Sequence, residues 1–272
     1  MKRMLLLAAA LAAVPAAAGA AAVTVKGSDT MVILAQRWAE NYMKANPGRK
    51  VQVTGGGSGT GIAALINGTT DVANASRSMK DSEKAKVRDR YNVLPSEIPV
   101  AKDGLAVYVH ESNALATLTI DQLRKVFAGD VANWKDLGGP DAPIVLYSRE
   151  NSSGTYVFFK DNVLGGGDFS PRAQTLPGTA AVVNAVSKEK NGIGYGGAAY
   201  AKGVKEVKLV GKDGQAYLPN AENVASGKYP LARDLFMYTR GKAGGEAKQF
   251  IDYCLSPEGQ AIVTQVGYFP VK

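Results

Sequence analysis

Strand-like and helix-like runs alternate along almost the whole chain, which predicts an α/β protein with mainly parallel sheets. About 250 residues follow an N-terminal leader, enough for two lobes of ordinary size. Two apolar runs, IPVAKDGLAVYVH (98–110) and LFMYTR (235–240), read as strands able to cross from one lobe to the other and back.

VTVKG (23–27) alternates like a strand, and GSDT closes it as a turn. Met31, Leu34, Ala35, Trp38 and Tyr42 then recur at helical spacing until NPG (46–48) breaks the run. VQVTGGG (51–57) is a second strand and turn, and Ile62, Ala63, Leu65 and Ile66 begin a second helix. TTDVANAS (69–76) is a third strand with Arg77 at its end, and DSEKAKVRDRY (81–91) is a short exposed helix capped by Asp81 or Ser82. Past the first crossing run, TIDQLRKVFAG (119–129) is amphipathic, IVLYS (144–148) is a strand, and SSGTYVFFKDNVL (152–164) joins it to a helix. GIGYGGAAYA (192–201) repeats the order short strand, glycines, helix, and KQFIDYCLSPEGQAIVTQVGY (248–268) closes the chain with helices.

The leader, MKRMLLLAAALAAVPAAAGAAA (1–22), has a basic start at Lys2 and Arg3, an apolar stretch and then small residues. That is the layout of a secretory signal cut after Ala20 or Ala22. A membrane anchor is disfavoured because alanine dominates the stretch, Pro15 interrupts it and no flanking charge stops transfer. The expected mature protein is exported and soluble.

The formal charge of +8 falls to +6 without Lys2 and Arg3, a balance that draws anionic partners at long range. Both signs interleave in DSEKAKVRDR, and no basic block carries aromatics between its charges, so nucleic-acid binding finds no support. Cys254 is the only cysteine, which excludes an internal disulfide and reads as a buried thiol. One histidine, His110, and one cysteine cannot make a His/Cys metal site or a Ser-His-Asp site with a spare base.

Three strand-to-helix joints share one chemistry: GSDT (27–30), GGGSGTG (55–61) and NSSGT (151–155). Glycine allows close backbone approach, Ser and Thr cap and donate, and the helix start offers uncommitted N–H groups at its positive end. Arg77 and Arg149 lie nearby in sequence. GGGSGTGIA lacks the lysine of a P-loop and the last glycine of G-x-G-x-x-G, and Thr60 breaks a G-x-S-x-G elbow at Ser58. What remains is a site of N–H groups, hydroxyls and guanidinium that binds an oxyanion without attacking it.

KGSDTM, GGGSGTGI, DVANASR, KDGLAVYV, LTIDQLRKVFAGDVANWKDLGG, SRENSSGTYVFF, GIGYGGAAYA and SPEGQAIV, in order across the mature chain, resemble the phosphate-binding proteins of bacterial phosphate ABC importers. The resemblance implies a type II periplasmic binding fold, with ligand enclosed between two lobes. With the leader at 1–22 read as the signal, it implies lobe one from 23–103 plus 234–272 and lobe two from 104–233. By the same resemblance, Thr30 and Ser58 contact the ion from lobe one. Arg149, Ser153, Gly154 and Thr155 match the family's R-x-x-x-S-G-T segment in lobe two. Longer members carry an Asp, which accepts the proton of hydrogen phosphate, where this chain has Arg77; shorter members tend to carry an arginine there. Arg77 is therefore either a ligand contact or half of an ion pair, and the proton acceptor is Asp29, Asp103 or Glu150.

The implied role is a periplasmic binding protein, not an enzyme, that captures inorganic phosphate for a membrane ABC permease and works as a monomer, with neither cofactor nor metal. Alternatives are the same role for sulfate, molybdate or tungstate, an exported phosphate-ester hydrolase, or an interaction protein that has lost the ligand. The hydrolase lacks a second histidine, an elbow and metal-spaced carboxylates.

Overall fold

The computed structural model describes residues 22–271, so the expected leader lies outside the described residues apart from Ala22. β1 (Val23–Gly27) runs parallel to β2 (Val51–Thr54) on one side and β3 (Val72–Ala75) on the other. A 3-10 turn at Asp29–Met31 leads into α1 (Val32–Ala45), while α2 (Ser58–Asn67) and α3 (Asp81–Tyr91) follow β2 and β3. β4 (Ser96–Val109) is the long crossing strand. After it come β5 (Thr117–Leu118), α4 (Ile120–Ala128), β6 (Val145–Arg149), α5 (Gly154–Asn162), β7 (Gln174–Leu176) and α6 (Gly178–Lys188). β8 (Gly192–Gly197), β9 (Lys205–Val210), β10 (Ala216–Tyr217) and α7 (Ala221–Ala225) precede the returning strand β11 (Ala232–Thr239), and α8 (Gly245–Cys254) and α9 (Pro257–Val266) end the fold.

The strands connect along one path, β2-β1-β3-β11-β4-β8-β6-β7. The β1, β2, β3 group and the β6, β7, β8 group supply parallel pairs, whereas β4 and β11 run antiparallel to each other and to their neighbours. Parallel sheets thus occupy the two lobes, and the antiparallel pair between them is the crossing itself. Its register runs from Ser96 opposite Thr239 to Gly104 opposite Ala232, with a bulge between Leu235 and Phe236.

The two largest of the buried apolar clusters flank this crossing. One gathers Val25, Leu34, Trp38, Val100, Leu235 and Phe250; the other gathers Leu105, Val109, Phe127, Phe159 and Tyr195. Burying each such side chain contributes about 1.5–3 kcal/mol, so each lobe has its own source of stability. Along β4 the membership changes between Ala101 and Leu105, and along β11 between Ala232 and Leu235. The spacing read from sequence on α1 is the buried face: Leu34, Ala35, Trp38 and Tyr42 point inward, and Trp38 Nε1–H donates to Gly259 O at 2.7 Å. Cys254 is buried in α8.

Two local expectations change. The cap of α3 is Lys80, not Asp81 or Ser82, because the Glu83 carboxylate reaches back to accept the Lys80 N–H at 2.8 Å. GIGYGG forms β8 throughout and is followed only by a 3-10 turn, Ala198–Tyr200, not by a helix. A Cβ on Gly194 would lie 2.6 Å from Val182, and one on Gly196 2.6 Å from Thr179, so these glycines seat α6 against the strand. Among the described residues, no helix is long and apolar enough to cross a membrane, and no group of three His, Cys, Asp or Glu could hold a metal ion.

Candidate anion-binding site

The three glycine-hydroxyl joints converge where the lobes meet. Gly27 ends β1 with φ of 143°, and a Cβ there would lie 2.1 Å from Asn74 O, so only glycine lets the turn start. The turn delivers Thr30, which is 1 % exposed, to the cleft. The Thr30 and Thr155 hydroxyls, from opposite lobes, stand 2.9 Å apart.

No side chain caps α2, which leaves its first-turn N–H groups for other partners. One of them, Gly59 N–H, donates to Ser152 O of the other lobe at 2.8 Å. Ser58 is fully buried at the helix start, accepts the Ser76 N–H at 3.0 Å and lies 3.4 Å from the Ser76 hydroxyl. Directly opposite, a Cβ on Gly154 would lie 2.3 Å from Ser58 Oγ and 2.7 Å from Ser76 Oγ. The starts of α2 and α5 therefore face each other at contact distance. Ser153 caps α5, its Oγ accepting from Thr155 N–H at 3.2 Å and Tyr156 N–H at 3.3 Å.

Arg149 ends β6, 1 % exposed, and donates to Thr179 Oγ1 at 2.8 Å within its lobe and to Asp29 Oδ2 at 2.9 Å across the cleft. Burial pulls its pKa down, with Asp29 opposing. Arg233, on the returning strand, ties the two lobes to the crossing. It donates twice to Asp103 Oδ2, at 2.8 and 3.0 Å, to Ser76 O at 3.1 Å and to Thr155 Oγ1 at 3.0 Å. Its guanidinium also lies over the Phe158 ring, 5.2 Å from the centroid. Burial raises the Asp103 carboxyl although the Arg233 charge and hydrogen bonds lower it.

Of the residues expected from sequence, Thr30, Ser58, Gly154 and Thr155 come together, Arg149 borders them and Ser153 holds the start of α5. Arg77 stands apart. Its Nη2 and Nη1 donate to the two carboxylate oxygens of Glu83 at 2.7 and 2.8 Å, and Nη1 also reaches Ser78 O at 2.9 Å. Burial pushes the Glu83 carboxyl up, but the bonds from Arg77 and Lys80 outweigh it and hold the pKa below the usual range. Arg77, Arg233, Phe158 and Phe236 line a neighbouring cleft of about 340 Å³. Sequence reasoning missed Arg233, Ser76 and Thr179. Arg233 opens an apolar strand with no motif around it, and nothing in the sequence reports that β11 brings it beside Asp103.

Two lobes joined by two crossing strands, with hydroxyls, helix starts and arginines facing one another between them, are the layout of a periplasmic-type solute-binding protein. Residues 12–258 match the model of the PBP superfamily domain. The phosphate-binding protein PstS of Pseudomonas aeruginosa is 38 % identical over 264 residues, covering 90 % of this chain and 81 % of that one. PstS of Bacillus subtilis is 34 % identical over 251 residues, covering 92 % and 81 %. Among solved structures, a candidate phosphate ABC transporter substrate-binding protein with bound phosphate from Clostridium perfringens superposes with a TM-score of 0.84. It is 31 % identical, and the match covers 93 % of this chain and 100 % of that one. The chain belongs to the PstS family of phosphate-binding proteins within that superfamily.

Proposed function

We propose that this protein captures inorganic phosphate between its lobes and delivers it to a membrane ABC permease, and that it makes or breaks no bond. The carrying observation is the convergence of the Thr30, Ser58, Ser76 and Thr155 hydroxyls with Arg233 at the facing starts of α2 and α5, with Arg149 held alongside by Asp29, the residue next to Thr30. Dehydrating an oxyanion is costly unless nearly every oxygen finds a donor, and this junction is built of donors. The family supports phosphate as the ion, and its members act as binding proteins rather than enzymes.

In this reading Thr30, Ser58, Gly154 and Thr155 contact the ion, Ser153 positions α5, and Arg149 and Arg233 supply charge-assisted donors. Arg77 holds the end of β3 through Glu83 and is not a ligand. Asp103, fully buried and joined to Thr155 through Arg233, is the proton acceptor that selects hydrogen phosphate over sulfate. The protein is exported after loss of residues 1–22, acts as a monomer, and the permease reads the closed form.

Arg149→Ala is expected to weaken phosphate binding about 100-fold or more while the protein still unfolds cooperatively. Calorimetric titration of the ligand-stripped protein, with sulfate as competitor, checks both statements. Unchanged affinity would remove Arg149 from the clamp, and displacement by sulfate would change the ion.

A further inference from the structure

The proton-accepting and donor roles above leave Asp29 unassigned, although it is bonded within its own lobe and twice across to the other. Its Oδ1 accepts the Gly56 N–H at 2.7 Å within lobe one. Its Oδ2 accepts from Arg149 at 2.9 Å and its backbone carbonyl accepts the Tyr200 hydroxyl at 2.8 Å, both from lobe two. The side chain of Arg149 is 1 % exposed and that of Asp29 18 %, so the pair lies at the inner edge of the cleft, out of bulk solvent.

A second position points the same way. Gly55 is outside the left-handed region that demands glycine, yet a Cβ there would lie 2.5 Å from Asp29 Oδ1 and 3.1 Å from Val32 Cγ2. Glycine at 55 makes room for this carboxylate. Asp29 is short and pinned by the Gly56 N–H, so it cannot swing aside as a long side chain would.

We propose that Asp29 is a cross-lobe latch, a positioning residue that presents a built-in carboxylate to Arg149 and so sets the closed fraction before phosphate arrives. Apparent affinity scales with the fraction of molecules already in the binding-competent form, so the latch tightens binding without touching the ion. It also fixes the Arg149 guanidinium from one side, with Thr179 fixing it from the other. The inference rests on the oxyanion reading of the junction for its effect on affinity, but not for its effect on closure.

The test uses Asp29→Asn and, separately, Gly55→Ala, in the full mature chain. Lobe separation is followed by spin labels at the exposed positions Lys44→Cys and Lys212→Cys, with and without inorganic phosphate, and affinity by calorimetry at about pH 6 and about pH 8. Both variants are expected to populate a longer lobe separation without phosphate and to return to the wild-type distance at saturation. Phosphate affinity is expected to fall by the order of 30-fold for Asp29→Asn, by the same factor at both pH values. An unchanged distance distribution in ligand-free Asp29→Asn would overturn the latch. A loss confined to one pH would instead make Asp29 the proton acceptor. If the wild type ignores phosphate, the functional reading fails, while the ligand-free distances still decide the latch.

Discussion

Arg77 and Arg149 each stand at the end of a parallel strand, and their partners separate their roles. Arg77 finds both oxygens of Glu83 six positions on in the same lobe, which makes it a local tie. Arg149 finds Asp29 in the opposite lobe, which makes it part of the closure. Both arginines were visible in the sequence, but an arginine's partner depends on which carboxylate the fold carries to it, and that is not a local property. A carboxylate that ends without a partner shows the converse. Glu206 lies on β9 opposite Tyr108, with Oε1 buried and unbonded, and burial, aided by the Asp103 charge, pushes its pKa up to about 7. A raised carboxyl means that the folded state holds a proton the unfolded chain has released, so stability falls as pH rises from the ordinary value of 4.5 to about 7, then levels. Glu206→Gln cannot ionise. After allowance for its partial exposure, it is expected to gain about 1–2 kcal/mol on the wild type near pH 8 relative to its standing near pH 4. Urea unfolding at the two pH values checks this, and a constant difference would place the titration elsewhere.

At the scale of elements, the site consists of helix starts, and their glycines divide into those that serve the lobe and those that serve the cleft. Gly61, in the first turns of α2, has no room for a Cβ because Lys26 O would be 2.3 Å away and Gly27 Cα 2.5 Å away. Gly154 also has no room, but its obstacles, Ser58 Oγ and Ser76 Oγ, belong to the opposite lobe. Gly61→Ala must push α2 off β1 in every conformation and is expected to cost about 1–3 kcal/mol of stability. Gly154→Ala meets its clash only on closure, so it is expected to keep the wild-type melting temperature without ligand and lose most phosphate affinity. Thermal melts with and without phosphate separate the two, and a large ligand-free loss for Gly154→Ala would mean that the lobes do not part. The alternation of strands and helices, the α1 face and all three joints were legible because they are local: periodicity, caps and glycine need only neighbouring residues. The glycine run of β8 misled for the same reason. In GIGYGGAAYA nothing nearby distinguishes a glycine that turns the chain from one that lets α6 lie close, and only the packing of Val182 and Thr179 does so.

Across the whole molecule, the arginines nearest the junction are all paired with carboxylates: Arg149 with Asp29, Arg233 with Asp103 and Arg77 with Glu83. The junction therefore carries little net charge, although the chain as a whole is basic, at +8, or +6 once Lys2 and Arg3 are set aside. These two facts separate arrival from retention. Distant surface charges act on a free anion over a Debye length and are screened by salt, whereas contacts inside a closed, water-excluded cleft are not. Raising KCl from about 0.02 M to about 0.5 M is thus expected to slow phosphate association by about 2–5-fold and leave dissociation unchanged. Stopped-flow mixing, followed through the intrinsic fluorescence of Trp38 and Trp134, measures both rates. Dissociation that accelerates with salt as much as association slows would show that an unpaired cation holds the ion. In that case the hydrogen-bonding hydroxyls and helix starts would be secondary to charge, and the Asp29 and Asp103 pairings would have to open when phosphate binds.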